Sequence, residues 1–596
     1  MRVVAATLGM VSMLVLGGCS TESENAKLEP VVGPSVYQRY QPPQPANPTD
    51  YSGAGSAVCT DAMKALLAQD FAGANRPEMM ALGDSLNNGV QSLRINWWLS
   101  EWSAPTLIAL RLGLVDEWRG DRQGGRRFFG PQYPGYGANP EQTAKHDFGF
   151  NLETLPSGGV LNAVLQLKLL MDDQKAGLAA LGTTHRPPNG RPFVDNISFS
   201  GANSVDISGW TAREFRKAGQ GARDRINGFD LDALGDAFTF TNAAFVLSPM
   251  HNPCVEDMTP LQQVLFRKPK RLFVNMGANN GIFRAAFSGT SVDTPSCDRG
   301  DREPHNAAGR VRCFPGHTIA EALTIQLVDD VKAMGAALIA DPGVEHVYIN
   351  GIVQPSRPAN VVITRGADGQ ADYATDLFIP TAIAREAMDR ADLTARDTNA
   401  ALSAAVDDLN AASVVKGRGP VFTFIDVDKA LDHYDYKRCL VTGTADACRG
   451  KRLFIDHRRF NLPEGTSQYL DNRPMRAAGD DGLTYGAAFN PKVTEGGLFS
   501  FDNMHLSSIG YEVMVEAVRN GIDKADPGMT RPKCADGRDP RFKTLKIGDC
   551  RLNMVVPGAS YVDATRRSYI FQRTVGDGAM HNQQTLKNLA ELAKAF

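Results

Sequence analysis

The chain has 596 residues, with 63 Lys and Arg against 66 Asp and Glu, for a formal net charge of -3. That balance argues against nucleic acid as a partner, since its binders show a basic excess or patch. With 43% apolar residues the chain can bury a sizeable core, and its length alone is only a soft prior for several domains.

At the N-terminus Arg2 precedes an apolar run from Val3 to Leu16, followed by Gly17-Gly18-Cys19. The run is too short for a typical membrane span, and the small residues after it fit a cleavage site, so residues 1–18 read as a targeting segment. Leu16-Gly17-Gly18-Cys19 resembles a bacterial lipoprotein signal. The resemblance implies cleavage before Cys19, lipidation of its thiol and, with Ser20 next, delivery to an outer membrane or the cell surface. An ordinary secretory signal with an incidental cysteine is the plainer alternative. Residues 19–56 are poor in aliphatic side chains and carry Pro30, Pro34, Pro42, Pro43, Pro45 and Pro48. This reads as an extended tether, unless Val31, Val32, Tyr37 and Tyr40 dock it on the domain.

Beyond Cys19 the cysteines are Cys59, Cys254, Cys297, Cys313, Cys439, Cys448, Cys534 and Cys550. An even number in an exported chain suggests disulfides. Cys297 with Cys313, Cys439 with Cys448, and Cys534 with Cys550 are close in sequence, which leaves Cys59 and Cys254 to pair by elimination, although connectivity does not follow from sequence. His305 and His317 beside Cys297 and Cys313 match no zinc finger or ribbon spacing, so no metal is expected.

Ala62 to Ala72 has helical spacing, and Met79 to Leu82 is an apolar strand running into Gly83-Asp84-Ser85-Leu86. Trp97, Trp98 and Trp102 follow; they fit an acyl pocket, but such a group is more often core packing. A helix is expected over about 105–112, with Pro105 in its first turn and Ser103 near its cap. Residues 119–160 are rich in glycine, proline and aromatics, including Phe128, Phe129, Tyr133, Tyr136, Phe148 and Phe150. They read as an insertion, a lid or a substrate-facing loop, and Gly159 to Leu181 looks helical.

Phe193 to Ser200 is the second expected strand, ending at Gly201-Ala202-Asn203. Helices follow over Trp210–Ile226 and Met258–Phe266, the latter broken by Lys268-Pro269-Lys270. Arg271 to Met276 is the third strand, ending at Gly277-Ala278-Asn279-Asn280. Ile319 to Ile339 is helical, Val344 to Ile352 is the fourth strand, Thr381 to Val414 contains two helical segments, and Val421 to Ile425 is the fifth strand. Asp426 to Ser500 reads as irregular. Asp502-Asn503-Met504-His505 comes next, then a helix over about 507–521 and a tail with a terminal helix over about 583–596. The whole reads as one domain over 57–522 with insertions at about 119–190, 354–400 and 427–500, and a C-terminal extension over 523–596. Strands alternating with helices point to a parallel sheet covered on both faces, with marked polar residues just after strand ends, where open parallel sheets keep their sites.

Gly83-Asp84-Ser85-Leu86, the glycine at 201, Gly277-x-Asn279 and Asp502-x-x-His505 together resemble the four sequence blocks of the GDSL or SGNH hydrolases, in the family's order. The resemblance covers most of residues 75–522. It implies a three-layer α/β/α sandwich on a five-stranded parallel sheet and a serine esterase or lipase needing no cofactor. By the same resemblance Ser85 is the nucleophile, His505 the base and Asp502 its orienter. The oxyanion hole comes from the Ser85 amide, the Gly201 amide and the Asn279 side chain. Asn280 stands where the family usually has aspartate, a position that supports the loop rather than doing chemistry.

The chemistry also follows from the residue types. A serine hydroxyl is a weak nucleophile until a base takes its proton, and an imidazole titrates near neutral pH. A carboxylate three residues earlier can fix its tautomer. For Gly201 a plain turn glycine is the alternative, for Asn279 a loop-capping amide, and for His505 a buried structural histidine. The expected substrate is a small or lipid-like ester, met by an enzyme anchored to a membrane through Cys19. Glycan O-deacetylation or acyl transfer would use the same residues. A surface-binding lipoprotein without turnover is the rival of a different class.

Overall fold

A computed structural model describes residues 59–72, 76–91, 94–95, 97–115, 127–131, 133, 148–149, 193–226, 231–249, 252–287, 291–295, 317–375, 382–455, 468–478, 492–500 and 503–527. The signal, the tether with Cys19, the 159–181 helix, Cys297, Cys313, Cys534, Cys550, Asp502 and the 583–596 helix lie outside these residues, as does nearly all of the C-terminal extension. Among the described residues no helix is long and apolar enough to cross a membrane.

In chain order the principal elements begin with α1 (Asp61–Ala72), β1 (Met79–Gly83), α2 (Ser85–Asn88) and α3 (Ala104–Arg111). They continue through α4 (Ala212–Arg225), α5 (Leu231–Leu247), α6 (Pro260–Arg267), β2 (Arg271–Asn275) and α7 (Ile282–Phe287). After these come α8 (Ile319–Ala340), β3 (His346–Asn350), β4 (Val361–Arg365), β5 (Ala371–Thr375), β6 (Ala382–Ile383) and α9 (Arg385–Val415). The last are β7 (Phe422–Ile425), α10 (Val427–His433), α11 (Tyr436–Thr442) and α12 (Ser508–Ala525).

The central sheet has four strands in the order β1-β2-β3-β7, all parallel. The fold is therefore mixed α/β. Its strands are apolar runs buried along nearly their whole length, as strands must be when neither face meets water. Met79, Met80, Leu272, Phe273, Val274, Val347 and Ile349 form the middle of the core. The surrounding helices carry their own start signals. Thr211 with Glu214, Thr259 with Gln262, and Thr318 with Glu321 each close a capping box that satisfies orphan amides of the first turn. Lys268 turns left-handed (φ 50°) and ends α6 before Pro269.

Several expectations change. Residues 193–200 do run parallel beside β1, with Ala81 bonded to Asp195 and Ile197, and Phe199 bonded to Gly83. They form only one bridge, Ala81 to Asn196, rather than a fifth strand. The reason lies in the side chains. Asn196 Oδ1 accepts from the Ser198 amide, an Asx-type bond that competes with extended pairing, and Asp195 is bonded to the Phe129 amide and to Arg267. The two segments expected within 381–414 are a single 31-residue helix, α9. No Gly or Pro interrupts Arg385–Val415, so nothing breaks it, and the insertion boundary placed near 400 falls inside it.

Residues 426–500 are not simply irregular, because Asp426 and Asp435 cap α10 and α11. β4, β5 and β6 form an antiparallel sheet not anticipated from the sequence. The Asp368-Gly369 pair between its first two strands carries the hairpin signal. The long apolar helix α5 was also not anticipated. Of the stretch read as a lid, Phe128 and Tyr133 are fully buried in the core, and so is Trp102.

Among the described residues there are two disulfides, Cys59–Cys254 and Cys439–Cys448. They close loops of very different length, with sequence separations of 195 and 9. In the chain-entropy picture the longer one is worth about 5 kcal/mol and the shorter about half that. Replacing Cys59 and Cys254 together by serine is expected to lower the urea midpoint far more than replacing Cys439 and Cys448. Equal midpoints in equilibrium unfolding would contradict this.

Candidate active site

The site is built where β1, β2 and β3 end. β1 stops at Gly83, and its tight approach to β2 demands glycine: a Cβ there would lie 2.3 Å from the Asn275 carbonyl oxygen. The Asp84 amide donates to that same carbonyl at 3.1 Å. Asp84 then caps the one-turn helix α2, its Oδ1 accepting from the Leu86 amide at 3.0 Å. Ser85 is thus the first residue of α2. The turn is bolted down from below. Asn88 Nδ2 donates to the Ser198 carbonyl and the Tyr133 hydroxyl, Asn87 Nδ2 donates to the Leu82 carbonyl, and Asn196 Nδ2 donates to the Asn87 carbonyl.

A polar ladder crosses the carboxyl edge of the sheet. Asn350, the last residue of β3, donates to Asn275 Oδ1 at 3.0 Å, and Asn275, the last of β2, donates to Asp84 Oδ1 at 3.1 Å. All three side chains are buried. Burial pushes the Asp84 carboxyl up to about 6, against the opposing pull of the Leu86 amide, the nearby His505 and the Asn275 amide. This ladder was not anticipated. Its sequence signal is an asparagine closing each of two apolar runs, Val274-Asn275 and Ile349-Asn350.

Gly201 has φ 77°, a conformation that glycine adopts without strain, and a Cβ there would lie 2.6 Å from Thr239 Oγ1. Its neighbour Ala202 offers its carbonyl to Asn279 Nδ2 at 3.0 Å, which joins the 201 and 279 loops. That bond uses one of the two hydrogens on the Asn279 amide. Asn280 is buried and grips Ser204, accepting from its amide at 3.0 Å and donating to its hydroxyl at 2.6 Å. Ser204 Oγ in turn donates to Asp330. Asn280 thus supports the loop.

His505 lies two residues before Ser507, the cap of α12. The His505 carbonyl accepts from both the amide and the hydroxyl of Ser500, and Leu506 pairs with Phe499. Asn503, left-handed at φ 57°, is held at both ends: its carbonyl accepts from the Asn360 amide at 2.6 Å, and its Oδ1 accepts from the Met475 amide at 2.8 Å.

These elements bring Ser85, Asn279 and His505 onto one cavity, each half-buried. Gly201 does not line it. The remaining wall is largely apolar, with Met276, Phe283, Ile352, Leu431, Met504 and Met514. Trp102 is not part of it. Among the described residues no group of three or more His, Cys, Asp or Glu side chains is arranged to hold a metal ion.

A carboxyl raised from 3.8 to about 6 disfavours the folded state once it ionises. Its contribution is most favourable below pH 4 and is lost as pH rises through about 6, by at most about 3 kcal/mol. Asp84→Asn keeps an acceptor oxygen for Leu86 and Asn275. The variant is expected to be more resistant to denaturant than wild type at pH 8 and to match it near pH 4. A difference independent of pH would show that the buried charge is not what is being removed.

The chain matches no known family model and no curated relative.

Proposed function

We propose that the protein is a serine hydrolase that cleaves carboxylic esters through an acyl-enzyme on Ser85. The observation that carries this reading is the convergence of Ser85, Asn279 and His505, from three distant parts of the chain, on one largely apolar cavity. A hydroxyl, an imidazole and an amide donor facing one space make up a nucleophile, a base and an oxyanion partner.

In the proposed mechanism His505 takes the Ser85 proton as Oγ bonds to the ester carbonyl carbon. The oxyanion is met by the Ser85 amide at the start of α2 and the Asn279 side chain, while the Gly201 amide, which does not line the cavity, is assigned a share only through the resemblance. His505 passes the proton to the departing alkoxide, and water, activated by the same imidazole, releases the acid. Asp502 is assigned the orienting role through the Asp-x-x-His spacing. The buried Asp84 carboxyl lies near His505 and feels its charge.

The proposed architecture is the three-layer α/β/α sandwich of the SGNH hydrolases, with 193–200 as its frayed fifth strand. Export and lipid anchoring at Cys19 are proposed on the N-terminal sequence, and two disulfides suit an oxidising compartment. The apolar wall favours esters with an aliphatic acyl chain over acetylated sugars.

Ser85→Ala is expected to abolish both ester hydrolysis and labelling by a fluorophosphonate; labelling at the wild-type level would exclude the assignment. Asn279→Ala is expected to lower kcat by about a hundredfold or more with little change in KM, as loss of an oxyanion donor does. A panel of 4-nitrophenyl esters of increasing acyl length, run on wild type and Ser85→Ala, reads both effects and the chain-length preference together.

A further inference from the structure

The segment after β7 carries charge into the interior. Lys437, in the first turn of α11, is only 2% exposed, yet among the described residues no carboxylate takes a hydrogen bond from its ammonium. Nζ donates instead to two backbone carbonyls, Pro358 at 2.5 Å and Val361 at 2.6 Å. The backbone amide of Lys437 donates to Asn472 Oδ1 at 3.1 Å. Asn472 Nδ2 donates to Asp435 and to the Arg357 carbonyl. The guanidinium of Arg357 meets Asp428, Asp432 and Asp435, while Asp428 also accepts from the amide and side chain of Gln354. Residues 354–361 are therefore gripped along their length by α10 and α11.

The gripped segment bears on the candidate site in two ways. Pro358 lines the cavity. Asn360, lying between the two carbonyls that Lys437 holds, donates its amide to the carbonyl of Asn503, two residues before His505. On the far side, the Asn503 side chain is held by Met475, three residues beyond Asn472. A continuous path of hydrogen bonds and short backbone links thus runs from the Lys437 ammonium to the turn that presents the imidazole.

We propose that Lys437 is a positioning residue for His505, fixing the 358–361 segment so that Asn360 and Pro358 hold the His505 turn and the adjoining cavity wall in place. The catalytic consequence rests on the hydrolase reading; the bracing itself does not.

A buried cation is an expensive way to stabilise a fold, and a well-packed apolar side chain often does as well. Burial draws the Lys437 ammonium down to about 7, with Asp435 and Asp392 opposing and Arg438 and Arg357 reinforcing the shift. The neutral amine still has two hydrogens for two carbonyls. The brace therefore does not depend on the protonation state of Lys437. What a methionine at this position cannot supply is any donor at all: the Val361 carbonyl would lose its Lys437 bond, and the Pro358 carbonyl would keep only the Val361 amide at 3.2 Å.

The test uses the full chain with Lys437→Met, read by hydrogen exchange and by steady-state hydrolysis of a 4-nitrophenyl ester. Exchange at the Asn360 amide is expected to rise about tenfold or more, with β3 unchanged, because local opening is released without global unfolding. On the same variant kcat is expected to fall about tenfold or more, with KM within about twofold, because a small displacement of a base costs rate rather than binding. Should Lys437→Met fail to fold, Lys437→Arg keeps a buried cation but displaces the two carbonyls, and it is expected to give the same pattern at smaller amplitude. Wild-type exchange at Asn360 in a folded variant overturns the proposal. So does loss of protection spread evenly over the sheet, which marks a merely structural role. If wild type itself shows no Ser85-dependent turnover, the hydrolase reading fails and exchange at Asn360 alone decides the brace.

Discussion

A carboxylate that leaves water must be met by donors, and the end of β1 is arranged around that requirement. Asp84 is supplied by the Leu86 amide ahead of it in the chain and by Asn275 from the neighbouring strand, which is itself supported by Asn350. The ladder ties three strand ends into one polar edge, and the Gly83–Asn275 approach fixes how closely they sit. Ser85 follows directly from this geometry. It is the first residue that can turn outward once the cap at Asp84 is made. The site thus rests on the sheet, whose strands lie within the hydrophobic core.

The other groups reach the same cavity through loops, and each loop is pinned by side chain to backbone bonds. Asn279 is tied to Ala202, and Asn280 is tied to Ser204. The His505 turn is fastened at Ser500, Asn360 and Met475. Irregular backbone of this kind exposes donors and acceptors that no ladder satisfies, so asparagine, serine and aspartate recur wherever the chain bends. The region after β7 carries this furthest, using Lys437 and Arg357 to hold the irregular segment that leads into β4. On the proposed hydrolase reading, the sheet places the nucleophile, while the added region after β7 steadies the base.

Much of this was legible in the chain. Largely apolar runs marked β1, β2, β3 and β7, because a strand buried on both faces leaves a hydrophobic signature. Helical spacing marked the three helices that begin after Thr211, Thr259 and Thr318. The residues at 193–200 read as a strand ending at Gly201, but local bonds from Asn196 and Asp195 left only one bridge. Helix α9 looked like two segments because its buried positions are mostly alanine and polar residues, which blur the periodicity. The helices at 427–442 were masked by their polar composition, whereas the hairpin at 361–375 carried its turn signal at Asp368-Gly369.

Sequence by itself determined which residue types were available and where strands would end, because turn glycines, capping residues and apolar periodicity act over a few neighbouring positions. It also singled out Ser85, Asn279 and His505. Only the tertiary structure decided that these three share a cavity, that Trp102 and Tyr133 belong to the core, and that Asp84, Asn275 and Asn350 form one buried ladder. The physical reason is range. Local signals fix φ and ψ, whereas burial, electrostatic shifts and cavity walls arise between segments that meet only after the sheet has assembled.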